Sequence, residues 1–117
     1  MVEYPLFPKT YDLIAWLLPQ TQKFPKSQRF VLAKRIEDAA LNFQALVIKA
    51  RKVTGVARAE ALMLADVELE TLRVCLRLCL DMKLFSFPQY EHVSKQVVEI
   101  GKLLGAWRKP QATQPSP

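Results

Sequence analysis

Tyr90-Glu-His-Val-Ser-Lys-Gln-Val-Val-Glu-Ile-Gly-Lys-Leu-Leu-Gly-Ala-Trp107 carries its apolar residues at Tyr90, Val93, Val97, Ile100, Leu104 and Trp107. Intervals of 3, 4, 3, 4 and 3 residues mark the seam of a helix packed lengthwise in a bundle. Gly101 and Gly105 stand four apart near that seam. A glycine inside a helix costs roughly 1 kcal/mol against alanine, so the pair predicts a close backbone approach.

The same signature recurs upstream. Leu62, Ala65, Leu69, Leu72, Leu76 and Cys79 form a seam within a helix expected from about Val56 to Lys83. Ile36, Ala40, Phe43, Val47 and Ala50, broadened by Leu32, Ala39 and Leu46, form another in a helix from about Pro25 to Val53. The first helix is expected from Thr10, a good N-cap with Asp12 in the first turn, to about Gln22. Tyr11, Ile14 and Leu18 share its face, widened by Trp16 and Leu17, and Pro19 should kink or divide it.

The connections are short: Lys23-Phe-Pro-Lys26, with Pro25 suited to a first helical position, then Thr54-Gly55, then Leu84-Phe85. Gly55 is available for a left-handed cap, and Ser86 with Gln89 makes a capping box for the last helix. Short connections force antiparallel neighbours. The fold class is therefore all-α, an up-down-up-down four-helix bundle over residues 10–109, with an extended arm at 1–9 and a disordered tail at 110–117. Leu64, Val74, Leu78 and Leu80 are apolar off the third seam, and this excess predicts a homo-oligomer.

The chain has 117 residues, half of them hydrophobic, which suits one domain that needs no staples. It holds 8 prolines, mostly near the ends, and only 3 glycines, in keeping with long helices. The N-terminus lacks a basic n-region and an apolar stretch, so no signal peptide is expected. No apolar run is long enough to span a membrane. Cys75 and Cys79 lie one turn apart on one helix, poorly placed for a disulfide, and read as buried thiols in a cytoplasmic protein.

The formal charge is +6. That suits an acidic partner: nucleic acid, an anionic surface or an acidic protein. The acids are unevenly spread. None lies between Asp12 and Glu37, an interval holding Lys23, Lys26, Arg29, Lys34 and Arg35. None lies between Asp38 and Glu60, an interval holding Lys49, Arg51, Lys52 and Arg58. Antiparallel packing sends the first group, with Lys83, to one end of the bundle, and Arg73 and Arg77 to the flank that leads there. Lys9, Arg108 and Lys109 join the second group at the other end. Two basic ends joined by basic flanks could follow a phosphate backbone. The competing reading is a solvated surface of ordinary ion pairs, Arg73 with Glu70, Arg77 with Asp81 and Lys34 with Asp38.

Catalytic chemistry finds no footing. The single His92 would have to serve every triad, no glycine-rich phosphate loop occurs, and no Glu-x-x-His pair offers a helical metal site. No cofactor is expected, and the chain reads as a non-enzyme. Trp16, Phe24, Phe30, Phe43, Tyr90 and Trp107 fall on seams and read as core rather than as base-stacking platforms.

Three segments carry a family resemblance. They are Trp16-Leu-Leu-Pro-Gln-Thr-Gln-Lys-Phe-Pro-Lys-Ser-Gln-Arg-Phe30, Leu72-Arg-Val-Cys-Leu-Arg-Leu78, and Tyr90 through Trp107 with its Gly-x-x-x-Gly-x-Trp ending. In this order and spacing the chain resembles Avd, the accessory variability determinant of diversity-generating retroelements, over about residues 4–109. The four-helix proteins encoded in ribosomal RNA intervening sequences are a wider relative. They typically carry an Ile-Ala-Glu-Gly segment after the second helix, which this chain lacks. The Avd resemblance implies a pentameric barrel of bundles that is not itself an enzyme. It implies binding of a reverse transcriptase and of nucleic acid, template RNA or its cDNA, in mutagenic retrohoming. The matched basic positions are Lys26, Arg29, Arg73, Arg77, Lys95 and Lys102. The alternatives are a free-standing RNA-binding bundle of the intervening-sequence type and a protein-interaction bundle with incidental charge.

Overall fold

The computed structural model describes residues 3–113, with side chains described through residue 110. Among these residues the chain forms four long helices and no strand. Helix α1 spans Leu6–Thr21. Helix α2 opens with a short turn, Lys26–Gln28, passes through a π-helical turn, Arg29–Ala33, and continues as α-helix over Lys34–Lys52. Helix α3 is Gly55–Asp81 and helix α4 is Phe87–Thr113. Each helix packs on its chain neighbour, and α1 closes the ring against α4. The result is an antiparallel four-helix bundle, 49 Å along its long axis.

The seams meet in one core. Ile36, Ala40, Phe43, Val47 and Ala50 of α2 are buried, as are Leu62, Ala65, Leu69, Leu72, Leu76 and Cys79 of α3 and Val93, Val97, Ile100 and Leu104 of α4. Tyr90 and Trp107 finish the α4 seam half-buried. In α1 the buried face is Leu6, Leu13, Ile14 and Leu17, whereas Tyr11 is exposed. A face drawn through 6, 10, 13 and 17 excludes residue 11, which lies about 100° round from residue 10.

That face also explains why the extended arm at 1–9 is shorter than expected. The helix begins at Leu6 because Leu6 is wanted in the core and because prolines do not oppose a first turn, whose N–H groups need no helical partner. Thr10 is thus not an N-cap. It lies one turn inside α1, buried, and its Oγ1 donates to the Leu6 carbonyl at 2.6 Å. Pro19 neither divides α1 nor ends it. The carbonyl it leaves without a helical donor belongs to Ala15, which is exposed and can turn to water. Nor does Pro110 stop α4: residues 110–113, expected as tail, continue the helix, and the rest of that tail lies outside the described residues.

The turns use local chemistry. Gly55 has φ +58°, the left-handed value expected of it, but it serves the start of α3 rather than capping α2, which ends at an extended Val53. Arg58 caps α2 instead, its Nε donating to the carbonyls of Ala50 at 2.8 Å and Val53 at 2.9 Å. Helix α3 ends in a Schellman turn. Leu84 N donates to Cys79 O and Lys83 N to Leu80 O, with Lys83 itself at φ 60°. The expected capping box forms: Gln89 N donates to Ser86 Oγ at 3.3 Å, and Ser86 N donates to Gln89 Oε1 at 2.8 Å.

Aromatic rings close both ends of the bundle. Trp107 stands edge-on to Tyr4 and Phe7, and the Tyr4 hydroxyl donates to the Leu103 carbonyl at 2.7 Å. At the opposite end Trp16 and Phe24 both pack on Phe85. Helix α3 has a second apolar face. Val56, Met63, Val67, Val74 and Leu78 are all exposed, and their 7, 4, 7, 4 spacing sets them directly opposite the buried seam at 100° per residue. The off-seam residues Leu64, Val74 and Leu78 flank or join this stripe in solvent, and Leu80 is half-buried.

Candidate nucleic-acid interface

Antiparallel packing sorts the charge along the bundle axis. Residues 3–9, 49–60 and 102–110 meet at one end, tied by the Arg51–Glu3 pair, the Arg58 cap and the Phe7–Trp107 contact. They hold eight Lys and Arg against two acids. Residues 21–35 and 77–92 meet at the other end, tied through Phe24 and Phe85, and hold seven Lys and Arg against two acids. The stretches between keep only Arg73 and Lys95 against seven acids. The chain is thus a rod with two positive ends and a negative waist. The basic flanks expected to join the ends are absent.

The six singled-out cations do not converge on one patch. Lys26 and Arg29 lie on the opening turns of α2, exposed and without an ion pair among the described residues. Arg73 and Arg77 are exposed on α3 but engaged. Arg73 Nη1 lies 3.2 Å from Glu70 and Arg77 Nε 3.3 Å from Asp81, and Lys34 pairs with Asp38 at 3.2 Å. All three ordinary pairs weighed from the sequence are therefore present. Exposed pairs of this kind hold about 0.2–1 kcal/mol each. Lys95 and Lys102, seven residues apart, share the outer face of α4.

Gly101 does mark a close approach, though not of backbone. A Cβ there would run into the guanidinium of Arg73, which crosses α4 at this point. Gly105 faces open space among the described residues, so the second half of the expected tight contact is not made within the chain.

The π-helical turn was invisible in the periodicity, and it changes the neighbouring surface. An i→i+5 turn holds one residue more than an α turn, so the register slips across it. In an unbroken α-helix Phe30 would stand over buried Ala33 and exposed Lys34, with half-buried Glu37 a turn beyond. With the slip it stands over exposed Lys34 and Arg35. Phe30, expected in the core, is 81% exposed, and Val31 beside it 66%. Leu32 and Ala33 stay buried.

Sequence reasoning also passed over the arginines at the far end as structural parts. Arg51 lies 4.2 Å over the Phe7 ring, and Arg58 is consumed by its capping bonds. Lys49, Lys52 and Lys102 are exposed there with no ion pair among the described residues. His92 is exposed and its ring lies 5.1 Å from that of Trp16.

The thiols are buried and free. Burial pushes Cys79 up to about 12, helped by the neighbouring Cys75, and it raises Cys75 against the pull of the Arg35 charge. A thiol so raised is a poor nucleophile and a poor metal ligand. Among the described residues no three His, Cys, Asp or Glu are grouped to hold a metal ion, and no helix is long and apolar enough to cross a membrane.

Residues 6–111 match the bAvd-like family model. Among solved structures, the chain is similar to a protein of unknown function from the S23 ribosomal protein family of Bacteroides thetaiotaomicron. The TM-score is 0.81 at 21% identity, covering 89% of this chain and 95% of that one. No curated protein matches the chain.

Proposed function

The chain belongs to the bAvd-like family, and we propose that it is a non-enzymatic accessory protein of a diversity-generating retroelement, binding nucleic acid and the reverse transcriptase in support of mutagenic retrohoming. The observation that carries the nucleic-acid half is the sorting of charge. Two ends rich in Lys and Arg, with Lys26, Arg29, Lys49 and Lys52 unpaired among the described residues, offer multivalent contact to phosphates. Such contact gives affinity and salt dependence without sequence readout.

The exposed stripe of α3 supports self-association, and a pentamer of cytoplasmic bundles is the form we propose. Five apolar residues in a 7, 4, 7, 4 line, on the face turned away from the core, are what a second chain would cover. The polymerase would meet the oligomer on the remaining surface, where Arg73, Arg77, Lys95 and Lys102 lie exposed.

Binding of the purified protein to a structured RNA across a salt series, with the oligomer mass recorded in the same buffer, tests this reading. Submicromolar binding by an oligomer, falling steeply with salt, is expected. No binding at low salt would sink the direct RNA role. Lys26→Glu with Arg29→Glu should weaken RNA binding more than Arg73→Glu with Arg77→Glu, because the α3 pair is already neutralised by Glu70 and Asp81. Capture of the reverse transcriptase separates this reading from a free-standing bundle bound to ribosomal RNA, which would have no use for a polymerase.

A further inference from the structure

Phe30 is the most exposed large apolar side chain among the described residues. Nothing in the core explains it, because the π-helical turn Arg29–Ala33 carries the ring away from the buried face while Leu32 and Ala33 keep their places in it. Turns of this kind inside α-helices occur frequently at functional sites. The surroundings are one-signed. From Thr21 through Ile36 the chain holds Lys23, Lys26, Arg29, Lys34 and Arg35 and no acid. Among the described residues Lys34 alone of these is taken up by an ion pair, to Asp38.

We propose that Phe30 is a stacking platform for an unpaired base of a single-stranded nucleic acid, with Lys26 and Arg29 on the phosphates beside that base. This deepens the nucleic-acid reading given above and rests on it. The charge pattern selects the occupant. An apolar ring inside a cationic border suits a ligand whose flat apolar faces are spaced by anionic linkers, and a single strand has that constitution. A duplex offers phosphates but keeps its bases stacked inside, so it would use the cations and leave the ring idle. Lys26 precedes Phe30 by four residues and Arg29 by one, so cations lie along the chain's approach to the ring.

The experiment compares the full chain with Phe30→Ala and Phe30→Trp. Each is titrated with a single-stranded pyrimidine RNA and with an RNA duplex of equal length, over a salt series. Phe30→Ala should weaken single-strand binding by about 5- to 150-fold, the range of one lost base stack. Duplex binding and both salt slopes should be unchanged, because no cation is removed. Phe30→Trp should keep single-strand affinity, and its added emission should be quenched by the single strand and not by the duplex. Circular dichroism and melting should be unaltered, since the ring buries little surface.

An unchanged single-strand affinity in Phe30→Ala, with wild-type binding intact, overturns the stacking role and leaves the nucleic-acid reading standing. Equal loss on single strand and duplex overturns it too. Retained RNA binding with lost reverse transcriptase capture would make Phe30 a protein contact and overturn it. If the wild type binds neither RNA at low salt, the underlying reading fails together with this one.

Discussion

Substituting the two helical glycines one at a time yields opposite expectations from one geometry. A Cβ at Gly105 meets nothing within 4 Å. Gly105→Ala therefore collects the full helix-propensity difference, about 1 kcal/mol of added stability, which in a chain of this size raises Tm by roughly 4 °C. A Cβ at Gly101 collides with Nη2 of Arg73. That atom is the far end of a flexible side chain, so Arg73 swings aside and gives up its 3.2 Å pair with Glu70. An exposed pair is worth about 0.2–1 kcal/mol, so Gly101→Ala should gain only about half of what Gly105→Ala gains. In an Arg73→Ala background the obstruction is gone, and Gly101→Ala should recover the full increment, a coupling of about 0.5 kcal/mol. Urea unfolding followed by circular dichroism, with equal m-values, measures the parent and the four variants. The reasoning fails if Gly101→Ala is destabilising with or without Arg73, because its neighbour would then be backbone. It fails differently if Gly105→Ala is destabilising in a concentration-dependent way, because a second chain would then occupy that open face.

Three further expectations follow from the packing. The Thr21 hydroxyl donates to Glu37 Oε2 at 2.6 Å, so Thr21→Val, equal in shape, should cost about 1.5–3 kcal/mol in chemical denaturation by leaving that carboxylate without its donor. Lys83 sits at φ 60° in the Schellman turn, so Lys83→Gly should raise stability by about 1 kcal/mol while slightly weakening RNA binding through the lost charge, two readouts of opposite sign. Cys79 keeps its proton up to about 12 when folded, against an ordinary value of 9.0. The unfolded chain loses that proton first, so the stability tied to this thiol is complete below pH 9 and is lost as pH rises toward 12, with a slope approaching about 1.4 kcal/mol per unit. Cys79→Ala should flatten that slope, and both thiols should resist a thiol reagent at pH 8 until the chain is unfolded.

What the sequence disclosed and what it hid divide along physical lines. The seams of α2, α3 and α4 were legible because helical period and burial agree over about four to five turns, and no local feature competes. The Ser86–Gln89 box was legible because both partners lie within four residues. The ion pairs of Arg73 and Arg77 were legible for the same reason. Helix α1 was misplaced at its start because Thr10 is a good cap in isolation, whereas Leu6 is held by tertiary packing that no local preference encodes. Phe30 was misread because an assumed period of 3.6 carries straight through Arg29–Ala33, where the register slips. Gly105 was read as a contact because a glycine's cost is visible in sequence and its neighbour is not.

The charge layout constrains how copies of this rod could associate. Both ends carry a large excess of Lys and Arg, so end-to-end stacking would bring like charge together and cover the surfaces proposed to hold phosphate. Sideways association through Val56, Met63, Val67, Val74 and Leu78 leaves both ends in water. It also meets the acids of α3, Asp66, Glu68 and Glu70, which lie on the same helix as the stripe. A two-fold contact would set these acids of one copy against the same acids of the other. A head-to-tail ring sets them against a different face, so the same acids of two copies do not meet. Closure into a ring would then multiply each basic end by the number of subunits, so affinity for RNA would rise by effective concentration without any new contact. The α3 stripe and the basic ends are thus separable by substitution. Val67→Glu with Val74→Glu should yield a folded monomer whose RNA affinity drops by about 10²-fold or more while each end keeps its cations. A monomer that binds as tightly as the parent would remove the ring from the account of binding.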